Sequence, residues 1–320
     1  MIRRPQTAAE RRTLRFQMLG VSLALAAAVA AGSGKSAPLA APSPAAAAAT
    51  HDGEIRLDHI SVVKMGQGAP VILIPGLSSP RAVWNGVAPE LAKTHTVYLV
   101  QVNGFAGDAP GANLGEGVLD GIVADLSRYI AMEKLGKPAI VGHSMGGLVG
   151  MMLALAHPDR VGRLMVVDSL PFFGAVMGAP DVASIRPRAE AMRTAIAGNY
   201  EAARKRVEAG PVTSDPGGNL SITPEGRIQV ANWAMHADLR VVAQAMYEDM
   251  TTDLRGDIAK IAPRPFTVVY AAGAPQANAI WEGAYAGSGA KLVAVLGSDH
   301  FVMLDQPAAF AAALTAFLAE

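Results

Sequence analysis

The 320-residue chain contains no cysteine. Disulfide frameworks, thiolate nucleophiles and cysteine-held metals are therefore excluded. Net charge is lacking as well, since 27 Lys and Arg stand against 27 Asp and Glu. The first 51 residues hold six of the basic side chains and one of the acids. The remainder has 21 basic residues to 26 acidic, a net charge of −5. Such a balance argues against a surface for nucleic acid or anionic membrane. Aromatics make up only 5% of the chain and charged residues 17%, whereas 51% is hydrophobic and 14 residues are methionine. This composition suits a packed core with some adaptable apolar lining.

Long apolar runs are scarce too. Phe16–Ala31 is uncharged and mostly apolar, but its 16 residues fall short of the roughly 20 that span a bilayer. It follows Arg3, Arg4, Arg11, Arg12 and Arg15, and small residues follow it, which is the pattern of an export signal over residues 1–35. Residues 36–51 form an Ala/Pro-rich linker that could tether a domain if residues 16–31 stay as a membrane anchor. The expected location is exported, either periplasmic or secreted, with membrane contact only through this segment.

From residue 52 to 320 the pattern is one of alternating strands and helices. Ile55–Met65 reads as an opening antiparallel arm. Val71–Ile74, Thr96–Val102, Ala139–Val141 and Leu164–Val167 are short apolar strands. Arg81–Lys93, Gly117–Leu135 and Met145–His157 read as helices. In the second, Val118, Ile122, Leu126 and Ile130 are spaced for one face. The alternation breaks at about 170–264, where Asp181–Ala197, Tyr200–Ala209, Pro224–Met235 and Leu239–Met250 are all helical in character. It resumes with strands Phe266–Tyr270 and Leu292–Val295 and a helix Gln306–Leu318. The expected architecture is α/β: a mostly parallel sheet covered on both faces, with a helical cap inserted after the sixth strand.

The most informative stretch is Gly142-His143-Ser144-Met145-Gly146-Gly147. With 33 glycines in the chain, the bare Gly-x-Ser-x-Gly pattern is weak. Its setting between an apolar strand and an apolar helix supplies the context of a nucleophile elbow. Ser144 is then a candidate nucleophile, and such a serine needs a base to take its proton. Past the cap, only His300 offers one, in the loop between the last strand and the last helix. The oxyanion of an acyl-transfer reaction needs two donors. The N–H of Met145 is one candidate, and the N–H of Leu77, in the loop Pro75-Gly76-Leu77-Ser78 after an apolar strand, is the other. His143 and His157 read as structural.

Together these residues resemble the α/β-hydrolase superfamily, serine esterases and lipases with a helical cap. The likeness covers most of 55–320 outside the cap. Pro75 stands where the family commonly has the His of His-Gly, which removes a side chain that often ties this loop down. The family usually places its triad acid just after the seventh strand. Residues 271–278 here carry no carboxylate, and Glu282 falls within a helical stretch. Some members seat the acid at the end of the sixth strand, where Asp168 stands, in the chain order Ser…Asp…His. The resemblance thus implies a Ser144–His300–Asp168 triad hydrolysing a carboxylic ester through an acyl-enzyme, with no cofactor and no metal. The apolar cap suggests a small-molecule ester with an uncharged, moderately hydrophobic acyl or alcohol group. Peptidase, thioesterase or lactonase chemistry could use the same site. A binding protein that has kept the fold and lost its acid is the alternative of another class.

Overall fold

The computed structural model describes residues 53–272 and 277–320. The expected export segment (1–35) and linker (36–51) lie outside the described residues. Eight strands form one sheet: β1 (Ile55–Arg56), β2 (Ile60–Gly66), β3 (Ala69–Ile74), β4 (His95–Val102), β5 (Ala139–His143), β6 (Arg163–Val167), β7 (Phe266–Ala271) and β8 (Lys291–Val295). Their order is β1-β2-β4-β3-β5-β6-β7-β8. β2 runs antiparallel to both β1 and β4, and β3 to β8 are parallel.

The near-continuous apolar strands are explained by burial on both sheet faces. Alternate residues enter different cores. Ile72, Ile74, Ile140, Leu164, Val166 and Val268 join one cluster. Val71, Leu73, Val141, Met165, Val167 and Val269 join the other. The period of two is thus preserved although both faces are apolar.

Short helices and long ones share the covering. α1 (Ala88–Leu91) is a single turn, preceded by a 3₁₀ turn at Arg81–Trp84. The expected continuous helix over 81–93 is therefore broken. Gly86 and Pro89 interrupt it, while Trp84 is driven fully into the core. α2 (Val118–Met132) buries Val118, Ile122, Leu126 and Ile130 as their spacing predicts. α3 (Met145–Ala156) is buried almost all round, as a uniformly apolar helix must be.

Between β6 and β7 come α4 (Val182–Gly198), α5 (Tyr200–Glu208), α6 (Pro224–Met235) and α7 (Leu239–Thr251). Side chains of Asp181, Thr223 and Asp238 accept the orphan N–H groups at three of these helix starts. α7 packs along α4 and is also tied to α2. Glu248 accepts from the N–H groups of Gly117 (2.7 Å), Val118 (3.1 Å) and Leu119 (2.8 Å), capping the start of α2. After β7 come α8 (Ala277–Ala284), then, past β8, α9 (Val302–Asp305) and α10 (Pro307–Ala319).

The strand order reverses beside β3. The chain moves from β3 outward to β4, then returns to β5 on the other side. Ligands of open α/β sheets bind at such a switch, beyond the carboxyl ends of the strands. The loops after β3 and β5 hold Leu77 and Ser144.

Candidate active site

β5 ends at His143, and the chain turns sharply at Ser144, with φ 52° and ψ −124°. A side chain in this region is strained, so the neighbours must fix it. The Ser144 N–H donates to Val167 O at 2.9 Å, tying the turn to β6. Its carbonyl accepts from Gly147 N (2.7 Å) and Leu148 N (3.2 Å), which starts α3. The crossing leaves no room for side chains on either flank. A Cβ on Gly142 would collide with the Gly146 carbonyl, and one on Gly146 would sit 2.5 Å from the carbonyl oxygens of Ile74 and Pro75. Ser144 is partly exposed, and its hydroxyl makes no hydrogen bond to another described residue.

His300 lies in the loop between β8 and α9. Its Nδ1 is 2.7 Å from Asp168 Oδ2. Asp168, directly after β6, itself has a left-handed φ of 47°. Its N–H donates to Val269 O at 2.8 Å, and its Oδ1 accepts from Ala271 N at 2.9 Å. β7 therefore contributes a backbone amide to this carboxylate, at the place where the family usually seats an acid. Glu282 is exposed on α8. The Asp299 N–H donates to Asp305 Oδ2 at 2.8 Å. Burial first, then the charges of Asp305 and Asp168, push the Asp299 carboxyl up.

His143 lies behind this arrangement, fully buried. Its ring centroid is 4.6 Å from that of His300 and 4.8 Å from that of Phe301. Burial and the neighbouring His300 hold its pKa well below the usual value. The neutral ring donates from Nε2 to the His300 carbonyl at 3.0 Å. His143 thus braces the backbone of the His300 loop.

The loop after β3 is held by its own serines. Ser78 Oγ and Ser79 Oγ donate to Leu77 O at 2.8 and 3.3 Å. These two hydroxyls hold the carbonyl of the residue that follows Pro75-Gly76. Neither the Leu77 N–H nor the Met145 N–H donates to another described backbone group.

Ser144, His300, Gly76 and Leu77 line one pocket, a cavity of about 40 Å³. Its further walls are Phe173, Leu220, Met246 and Phe301, together with Asp249 from α7. Asp249 did not emerge from the sequence reading, although a signal exists. Val242, Ala245, Met246 and Asp249 are spaced for one face of α7, so a carboxyl interrupts an apolar stripe. The inserted segment is fastened to the His300 loop at two points. Phe301 N donates to Leu220 O at 3.0 Å. Asp305 accepts from Ser221 Oγ (2.5 Å) and Ile222 N (3.2 Å) as well as from Asp299 N. Among the described residues no group of three or more His, Asp or Glu could hold a metal ion, and no helix is long and apolar enough to cross a membrane.

A model of the Alpha/beta hydrolase family matches residues 71–313, and the chain belongs to that family. It has the α/β-hydrolase fold, with a helical cap after the sixth strand.

The chain is similar to the pimeloyl-[acyl-carrier protein] methyl ester esterase of Aeromonas hydrophila, at 36% identity over 124 residues, covering 39% of this chain and 47% of that protein. The enzyme of the same name from Aeromonas salmonicida is 38% identical over 124 residues, with the same coverage. The chain thus spans about half the length of the curated relatives it matches. Among solved structures, the enol-lactonase from Burkholderia xenovorans aligns with a TM-score of 0.64 at 19% identity, covering 82% of this chain and 96% of that one. A thermophilic esterase from Thermogutta terrifontis aligns at 0.66 and 19%, covering 83% and 98%. These two likenesses show the fold.

Proposed function

We propose that the protein is a serine hydrolase that cleaves a small carboxylic ester through an acyl-enzyme. The observation that carries this reading is the His300–Asp168 contact of 2.7 Å beside a strained elbow serine in one pocket. In this mechanism Ser144 Oγ attacks the ester carbonyl while His300 Nε2 takes its proton. Asp168 holds the Nδ1–H and stabilises the imidazolium that forms. The N–H groups of Leu77 and Met145 receive the developing oxyanion. The tetrahedral intermediate collapses as His300 returns the proton to the departing alcohol. Water then repeats the sequence on the acyl-serine and releases the acid. A methyl ester is the natural first substrate to test, because two relatives of this chain are named methyl ester esterases.

The experiment is labelling with a fluorophosphonate, followed by hydrolysis of methyl esters of graded acyl length. Covalent modification at Ser144 and turnover of at least the shorter esters are expected. An unmodified Ser144 in folded protein would overturn the reading in favour of a non-catalytic binding protein.

The arginine-rich start and the apolar run Phe16–Ala31 support export of the protein. N-terminal sequencing of protein from the native host should then find a start between Ala31 and Asp52. Intact Met1 on soluble cytoplasmic protein would refute export, and intact Met1 in the membrane fraction would indicate an anchor.

A further inference from the structure

Two neighbouring carboxyls on α7 are treated in opposite ways. Glu248 accepts three backbone N–H groups at the start of α2, plus Gln244 Nε2 at 2.8 Å. Asp249 is only 8% exposed, no described residue donates a hydrogen bond to it or forms an ion pair within contact distance, and its oxygens are not among the sealed buried polar atoms, so a ligand in the pocket can reach them. It lines the pocket together with Ser144, His300 and Leu77 and with the apolar Phe173, Met246 and Phe301. The Glu248 cap fastens α7 to α2 and so fixes the wall from which Asp249 projects.

We infer that Asp249 is a specificity-determining residue that receives a hydrogen-bond donor, a hydroxyl or an ammonium, carried by the substrate beside its scissile carbonyl. The inference rests on the reading of the site as a serine esterase. A buried carboxyl without a partner is costly, and structural carboxyls avoid the cost as Glu248 does. At the edge of a reactive pocket, the missing partner is one that a ligand can bring. Apolar walls around it strengthen such a contact and penalise a substrate that leaves the carboxyl unmatched. A substrate carboxylate at the same place would be repelled. Burial pushes the Asp249 carboxyl up to about 7, against the pull of His300. A bound ammonium would draw it back down and keep it ionised.

The test uses three isosteric methyl esters: butyrate, 3-hydroxypropanoate and β-alanine, with the lactate and alanine esters placing the donor one carbon nearer. Fluorophosphonate labelling of Ser144 is measured in parallel, and its loss in the wild type overturns the esterase reading instead. With labelling intact, at least one donor-bearing ester should exceed butyrate in kcat/KM by roughly ten- to a hundredfold. Asp249→Ala should reduce that preference to near parity, chiefly through KM. Asp249→Asn should keep a preference for hydroxyl and lose one for ammonium. Equal kcat/KM across the set, no turnover of any ester, or a uniform change in Asp249→Ala overturns the inference. Melting of Asp249→Leu guards against a merely structural role. A higher melting temperature is expected because an unpaired buried carboxyl is removed, and a lower one also overturns the inference.

Discussion

On the sheet side of the pocket, the Asp168 carboxylate accepts from Ala271 N with one oxygen and faces His300 Nδ1 with the other. On the helical side, Asp249 is buried and has no partner among the described residues. On the sheet side the acid is engaged through both carboxylate oxygens. The strained residues of that side, Ser144 and Asp168, are each pinned through their own N–H to a neighbouring strand. The helical side is apolar apart from one carboxyl that waits for a counterpart. A fully paired acid can orient a neighbour through a whole reaction. An unpaired one responds to whatever enters.

Four experiments would break or sharpen this contrast. The largest effect is expected from Ser144→Ala and His300→Ala. Each should lower ester turnover by about 10⁶-fold, and the double variant by scarcely more, because residues acting as a unit are not additive. Next is Asp168→Asn, expected to lower kcat by about 10⁴-fold while the melting temperature stays near that of the wild type. Glu282→Gln, on the exposed face of α8, serves as the control and should change nothing measurable. If the two variants behaved alike, the sheet-side network would not be what orients His300.

The third experiment compares stability across pH. The Asp249 carboxyl is raised in the folded state to about 7, mainly by desolvation, and it returns to the ordinary carboxylate range on unfolding. The folded state therefore holds a proton that the unfolded state has released between roughly pH 4 and pH 7. Asp249's contribution is full below about pH 4 and is lost as pH rises through about 7. His143 and His300, the other titratable groups lining the pocket, are identical in wild type and variant. Denaturant titrations should show that Asp249→Asn removes this decline. A decline of the same size in the variant would mean that some other group is responsible.

The smallest effect concerns the join between the two sides. Asp305→Ala removes the acceptor for Ser221, Ile222 and Asp299. A loss of about 1–3 kcal/mol in stability is expected by denaturant unfolding. A modest fall in kcat should accompany it, since His300 directly follows Asp299.

The sheet side was legible in the sequence because its signals are local. An apolar strand, the Gly142–Gly147 turn and an apolar helix place Ser144 at a strand end, and His300 stands alone in its loop. The pairing of Asp168 with His300 joins residues 132 positions apart. It followed from the family's chain order and from the lack of an acid after Tyr270. The break in the helix at 81–93 escaped the periodicity although it has local markers in Gly86 and Pro89, which the apolar spacing of the segment masks, and burial of Trp84 completes it. Asp249 escaped for a different reason. A carboxyl on an apolar helical stripe is visible in the sequence, but whether a partner meets it depends on packing between elements far apart in the chain. Ser78 and Ser79 were equally silent, since their hydroxyls act on a carbonyl one and two residues away, inside a loop with no period to read.

The Asp305 carboxylate, held by donors from both the inserted segment and the His300 loop, bears on how the protein could be rebuilt. Swapping the helices between β6 and β7 for those of a relative is an obvious route to new substrate preference. Here the foreign segment would have to arrive with a hydroxyl and a free N–H where Ser221 and Ile222 now stand. A graft that ignored those two positions would loosen the chain next to His300 while leaving every pocket-lining residue of the sheet unchanged. The replaceable part of the molecule and the reactive part are therefore one module, and they would have to be redesigned together.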